Sequence, residues 1–224
     1  MRKALFYKEW TKTRWFLLAT LACGVLINIY MLLKIGRSFR FAGHEHLWDV
    51  IVNRNQFLFS LQQYYPAISG LIVAGAQMIP EINNKRLKLS LHLPLKESKI
   101  ITNMITTILG VLIIALGLNL GFLILGASLY FPAQIIQSTI ITLLPWYIGG
   151  ILAYLLVVFC CFEPLWKRRV INILISIALL NIYYLSNFPG AYSKNIFVMI
   201  IIPLISLLFV YLSVFRFKSG VQPK

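Results

Sequence analysis

Acid is scarce in this chain: its 224 residues include six Asp and Glu against 21 Lys and Arg. The six are Glu9, Glu45, Asp49, Glu81, Glu97 and Glu163, and none falls in the middle of an apolar run. Ion-driven carriers bind and release their proton or cation on carboxylates or histidines at mid-membrane depth, so this scarcity removes the usual machinery of a proton-coupled carrier. Histidine is equally sparse, at three residues, and none stands in an apolar run where it could activate the serine of Ser69-Gly70. There is no His-Glu-x-x-His and no pair of carboxylates within a run, so the groups an intramembrane protease needs are missing. No Gly-x-x-x-x-Gly-Lys-Ser/Thr loop is present, which excludes nucleotide phosphates held in that way. The chain therefore reads as a non-enzyme that needs no cofactor. Its three cysteines, Cys23, Cys160 and Cys161, lie in apolar runs, match no zinc spacing and read as small buried hydrophobes.

What the chain has in abundance is apolar sequence. Hydrophobic residues make up 59% and charged ones 12%, with a mean hydropathy of +0.81, whereas a soluble domain carries roughly 25% charged residues. From Ile100 to Phe162 there is no Asp, Glu, Lys, Arg or His. A water-facing fold could not keep so long an uncharged stretch solvated, so lipid is the solvent the composition asks for. Runs able to cross roughly 30 Å of hydrocarbon occur at 15–33, 57–79, 105–130, 135–162, 170–186 and 196–215. They predict an all-α polytopic membrane protein with six transmembrane helices in a single domain, 1–224. The first run continues through Leu33 behind a long basic segment, which argues for an uncleaved helix instead of a signal peptide. Pro66, Pro145 and Pro203 fall inside runs, where each removes a backbone hydrogen bond and can kink its helix. Gly110, Gly117, Gly121 and Gly126 form a small-residue face on the third run, read as a seat for another helix of the same chain in preference to a dimer seam.

The net charge of +15 suits a membrane surface better than nucleic acid, because Lys and Arg are concentrated in alternate gaps between runs. Sixteen of the 21 fall in the N-terminus (Arg2, Lys3, Lys8, Lys12, Arg14), the second gap (Lys85, Arg86, Lys88, Lys96, Lys99), the fourth gap (Lys167, Arg168, Arg169) and the tail (Arg216, Lys218, Lys224). The positive-inside rule then places both termini in the cytosol, with the basic gaps against anionic membrane lipids. The other side receives the segment 34–56, whose His44 and His46, with Glu45 and Asp49, are weak candidates for a metal. Two residues apart, the histidines converge on one ion from a strand but splay on a helix. The polar groups inside runs are Gln62, Gln63, Tyr64, Tyr65, Asn119, Asn181, Tyr183 and Tyr184. They either hydrogen-bond between helices or contact an amphipathic substrate, in which case Gln62, Gln63, Tyr64, Asn119, Asn181 and Tyr184 mark its path.

The second gap, 81–99, is the most informative segment. Glu81 stands four residues before Lys85, favouring a helical start, yet Leu87, Leu89, Leu91, Leu93 and Leu95 alternate as in a strand. A basic segment with a row of leucines wants a protein partner or the membrane surface. Glu81, Lys85-Arg86, Leu89, Leu91, Leu93-Pro94-Leu95 and Ser98 give an acid at the end of the second run, then a basic leucine-rich stretch ending in Pro and a polar turn. In this the chain resembles the permease subunits of type 2 (exporter-type) ABC transporters. The opening Lys8-Glu9-Trp10-x-Lys12-x-Arg14 also looks like that family's amphipathic elbow helix, 1–14, with Phe6 and Trp10 opposite Lys8 and Lys12.

The resemblance implies a multi-pass permease of the bacterial cytoplasmic (inner) membrane. It would export a hydrophobic or amphipathic substrate, such as a lipid, peptide or drug-like molecule, by alternating access. Two copies of a separate ABC ATPase subunit and a second permease copy or paralogue are the implied partners. The segment 81–99 would act as the coupling helix: Glu81 orients it, Lys85 and Arg86 meet ATPase groups, and Leu89, Leu91, Leu93 and Pro94 fill the ATPase groove. Glu81→Lys would then uncouple the complex and leave the chain folded. A different class stays open, an integral scaffold or assembly factor that recruits a cytosolic partner through the basic loop, with an intramembrane enzyme third. A neighbouring gene for an ATPase separates the first reading from the scaffold.

Overall fold

A computed structural model describes residues 2–52, 59–83, 97–163, 165–186 and 188–219. Among them the chain forms six α-helices and no strand: α1 (Arg2–Val52), α2 (Tyr65–Asn83), α3 (Glu97–Ala127), α4 (Ala133–Phe162), α5 (Trp166–Tyr184) and α6 (Ile196–Ser219). Four contain stretches long and apolar enough to cross a membrane, at Lys3–Phe41, Lys99–Ala127, Ala133–Phe162 and Ser193–Ser213. The protein is thus an all-helical chain compatible with multi-pass insertion. The other two helices, α2 and α5, have 19 residues each. At 1.5 Å per residue that gives about 28 Å, close to the thickness of the hydrocarbon. Three cations at the start of α5 (Lys167, Arg168, Arg169) and the polar Gln77 and Glu81 in α2 dilute their apolar character.

α4 is the hub. In its most apolar stretch 72% of residues are buried, against 28% to 33% in the other three membrane-length stretches. It packs against α2, α3, α5 and α6, and α1 packs on α2 and α3. The reason is local composition: the long uncharged run allows burial on every side, and Gly149, Gly150 and Ala153 let neighbours approach. α2 crosses α4 glycine to glycine. A Cβ on Gly70 would lie 2.2 Å from the Gly150 carbonyl oxygen, and one on Gly150 would lie 2.5 Å from that of Pro66. Main chains this close give the dense packing by which helices associate where lipid supplies no hydrophobic drive. Large apolar side chains point outward, among them Leu26 (66% exposed), Leu125 (71%), Leu174 (63%) and Leu208 (64%). So much outward apolar surface belongs in lipid.

Prolines bound several helices. Pro132 precedes α4 with extended backbone, and Pro164 follows Glu163, whose own backbone is extended (φ −74°, ψ 118°), as the residue before proline prefers. The α4–α5 turn is tied by Arg169, whose Nε and Nη2 donate to the Glu163 carbonyl at 3.2 and 2.8 Å. Gly190 takes φ +71° in the α5–α6 connection and donates its N–H to Thr142 Oγ1 at 2.9 Å.

Several expectations change. α1 runs unbroken from Arg2 to Val52, so 1–14 is no separate elbow helix and 34–52 is no loop: nothing in those 51 residues is proline, and the first helical break signal is absent. His44 and His46 therefore stand on a helix, where the sequence reading needs a strand for them to converge on one ion; their side chains lie outside the described ones. α2 begins at Tyr65, eight residues after the predicted start of the second run, which places Pro66 in its first turn. There the missing N–H has no intrahelical acceptor to lose, so Pro66 does not kink the helix. The prolines inside helices are Pro80, Pro145 and Pro203. Gly110, Gly117 and Gly121 would meet nothing within 4 Å if given a Cβ, whereas Gly126 packs on Leu32. The predicted intramolecular seat on α3 thus reduces to one glycine, because α3 turns its other three away from the bundle.

Candidate functional site

The bundle's charged site lies where the start of α1, the end of α2, the start of α3 and the end of α4 meet. Lys8 and Lys12 stand one helical turn apart on α1 and so share a face. Both ammonium groups reach Glu81 Oε1 on α2 at 2.9 Å. Glu9 joins them, its Oε2 3.0 Å from Lys12 and its Oε1 3.9 Å from Lys8. Two cations thus balance two anions. The Glu81 side chain is 1% exposed and that of Lys12 11%, while Lys8 keeps 36%.

Gln77, one turn before Glu81 on the same face of α2, carries the network inward. Its Nε2 donates to Glu9 Oε2 at 3.1 Å and to the Met104 carbonyl of α3 at 3.0 Å. Its Oε1 accepts from the Tyr154 hydroxyl of α4 at 2.6 Å. Four helices are therefore joined by one buried polar chain. Burial alone would push the Glu81 carboxyl up; the hydrogen bonds and charges of Lys12 and Lys8 outweigh it and hold the group below its ordinary 4.5. Glu81 stays an anion because its cations are within reach, and its Oε2 finds no donor among the described residues.

Sequence reasoning singled out Glu81 but missed this company. It set Lys8 and Lys12 on the outer face of an interfacial helix, with Phe6 and Trp10 opposite; in the structure the lysines turn inward and Phe6 is 47% exposed. The overlooked signal is paired spacing: cations at 8 and 12 on α1 and hydrogen-bonding groups at 77 and 81 on α2, each pair one turn apart. Lys85, Arg86, Leu89, Leu91, Leu93 and Pro94 lie outside the described residues, between the end of α2 and the start of α3.

A second polar cluster lies deeper. The Gln62 amide nitrogen donates to Asn119 Oδ1 and to Tyr147 Oη, the latter at 2.6 Å, and the Tyr147 hydroxyl donates to Asn119 Oδ1 at 2.7 Å. Asn28 Nδ2 donates to the Asn119 carbonyl at 3.0 Å. Gln62, Asn119 and Asn28 are all buried, and Gln63 is buried beside them in the chain. Tyr64 instead stacks on Tyr184, centroids 5.7 Å apart, and the Tyr184 hydroxyl donates to the Trp146 carbonyl at 3.2 Å. Asn181 is exposed on α5. The predicted substrate path is therefore divided among a buried triangle, a tyrosine stack and an isolated surface asparagine. Tyr147→Phe removes the hydroxyl that closes the triangle. Interhelical hydrogen bonds in lipid contribute about 0.6 kcal/mol on average and up to about 1.7. A loss in that range is expected on unfolding the protein with a denaturing detergent, with the helical content of the starting state unchanged.

A scan of protein-family models finds no match to the chain, and no curated protein and no solved structure matches it.

Proposed function

We propose that the chain is the membrane-spanning permease subunit of an ATP-driven exporter of the type 2 ABC kind, with six spans and both termini in the cytosol. The observation that carries this reading is the ion-pair network at the root of the basic segment 84–96. A cytosolic motor moves helices only if the segment it grips is fixed to them. Glu81, the last buried residue before that segment, is held by Lys8 and Lys12 of α1 and linked through Gln77 to α3 and α4. On the far side the chain re-enters the bundle directly as α3, where Ile100 and Ile101 are buried. Force on 84–96 would then reach four helices together, as alternation between two packed arrangements requires.

In this reading Glu81 is a positioning residue and the partner contacts belong to Lys85, Arg86 and the leucines. The absence of a nucleotide-binding loop assigns ATP hydrolysis to a separate subunit, and a second permease copy or paralogue would complete the pathway in the bacterial inner membrane. The test is copurification of the tagged full chain with an ATPase encoded beside its gene. The wild type is expected to retain the ATPase, and the pair Lys85→Glu with Arg86→Glu to lose it, since reversing both charges places like against like at the contact. Both chains should insert equally and unfold at the same temperature. Equal retention of the ATPase by wild type and double variant would refute the assigned contact; a non-ATPase partner retained in its place would favour the scaffold reading.

A further inference from the structure

A cavity of about 420 Å³ lies among α4, α5 and α6, bounded by Leu156, Phe159, Ile175, Leu179, Phe209 and, on its polar side, Asn172. Ser206 and Ser213 also border it, but their hydroxyls are engaged, the first donating to the Ile202 carbonyl at 2.9 Å and the second to Glu163 Oε2 at 3.3 Å. Asn172 Nδ2 is enclosed and meets no acceptor among the described residues. A buried donor left without a partner is costly, and turning the Asn172 amide into the cavity would let an entering acceptor satisfy it. The volume lies within the roughly 300–1,000 Å³ usual for small-molecule sites.

The register of α5 says what such a molecule is. Arg168, Asn172, Ile175 and Leu179 follow at steps of four, three and four and so form one stripe along the helix. Arg168 is exposed one helical turn before Asn172 and has no ion pair among the described residues, with Lys167 exposed beside it. Arg169, by contrast, is occupied by the Glu163 carbonyl. Descending the stripe gives a cation, then an amide donor about 6 Å deeper, then aliphatic side chains. A phospholipid offers the complementary order: phosphate, ester carbonyl, acyl chain. A basic cluster at a helix end beside a gap between helices selects an anionic headgroup over a zwitterionic one. We infer that α4, α5 and α6 bind one anionic phospholipid from the surrounding leaflet, its phosphate on Arg168, an ester carbonyl on Asn172 and an acyl chain in the cavity. The site is independent of the transport reading, since it uses neither the basic segment nor the ion-pair network.

Native mass spectrometry of the full chain in detergent, titrated with phosphatidylglycerol or phosphatidylcholine, tests it. One saturable adduct is expected with phosphatidylglycerol, at several-fold lower concentration than any adduct with phosphatidylcholine. Arg168→Gln should weaken it about fivefold, the share of one cation at a membrane surface, and Leu179→Trp should remove it by filling the cavity. Lys99→Gln, an exposed cation on α3, should leave it unchanged. Arg168→Gln alters only an exposed side chain, so it keeps the test decisive should the tryptophan variant not fold. Equal binding of the two lipids, an unchanged Arg168→Gln, or equal weakening by Lys99→Gln would overturn the site. Full competition by inorganic phosphate would overturn the lipid assignment by showing that an anion alone suffices.

Discussion

Gly150→Val is expected to prevent assembly of the bundle, and Gly70→Val to do the same. A Cβ at Gly150 would sit 2.5 Å from the Pro66 oxygen and 2.6 Å from its carbonyl carbon, and one at Gly70 would sit 2.2 Å from the Gly150 oxygen. Ordinary overpacking of a core costs about 1–3 kcal/mol because side chains can yield. Here the obstructing atoms are main chain on both sides, so α2 and α4 must separate, and α4 is the helix on which α2, α3, α5 and α6 all rest. The cost should exceed that range and appear as loss of a monodisperse species after detergent extraction. Gly117→Ala is the control. Its new methyl meets nothing within 4 Å, and relief of glycine's backbone entropy in a helix should raise stability by roughly 0.5–1 kcal/mol. If the α3 glycine tolerates alanine and the α2 and α4 glycines tolerate valine equally well, the crossing is not what holds the hub in place.

The helical fold was legible in composition, because uncharged runs of spanning length leave the backbone one way to satisfy its own polar groups in lipid. Which of those runs becomes the hub was not, since Leu and Ile are equally good outside against lipid and inside against helices. The deciding residues are small: Gly149 and Gly150 in α4 look no different in sequence from Gly117 and Gly121 in α3, yet the first pair is buried and the second faces away. The end of α1 was missed for a related reason. Charged residues at 34–46 suggest a loop by polarity, but none of them forbids a helix, no proline interrupts it, and Gly36 and Gly43 are carried within it. At the charged site, Glu81 was visible as an acid at a helix end. Its partners were not, because Lys8 and Lys12 are 73 and 69 residues away and nothing local shows that their face turns inward. Asn119 and Gln62 were read as polar groups on separate runs and Tyr147 was not singled out; their meeting depends on how the helices cross, which a single sequence leaves open.

That buried ion pair changes what a substitution at Glu81 can report. On the resemblance alone, Glu81→Lys would uncouple the motor and leave the fold intact; with Glu81 1% exposed between two ammonium groups, it should destabilise the protein instead. Removing one partner of a buried pair costs about 3–5 kcal/mol, since the remaining charge stays uncompensated, and a third cation adds repulsion. The exchange Glu81→Lys with Lys12→Glu restores opposite signs at the contact and should recover part of the loss, a coupling that two independent sites would not show. Glu81→Gln gives the pH signature. The Glu81 carboxyl titrates below its ordinary 4.5 in the folded protein, so it binds its proton more weakly folded than unfolded. Its contribution is present in full above that ordinary value and is lost as pH falls through the depressed one. Thermal unfolding in detergent should therefore drop on acidification below about pH 4.5 in the wild type, and by less in Glu81→Gln, which has no such proton to take up. Parallel acid profiles for the two chains would mean that the Lys8–Glu81–Lys12 contact contributes nothing to stability. The basic segment would then have no firm root in the bundle, and the lever on which the proposed transport cycle depends would be lost with it.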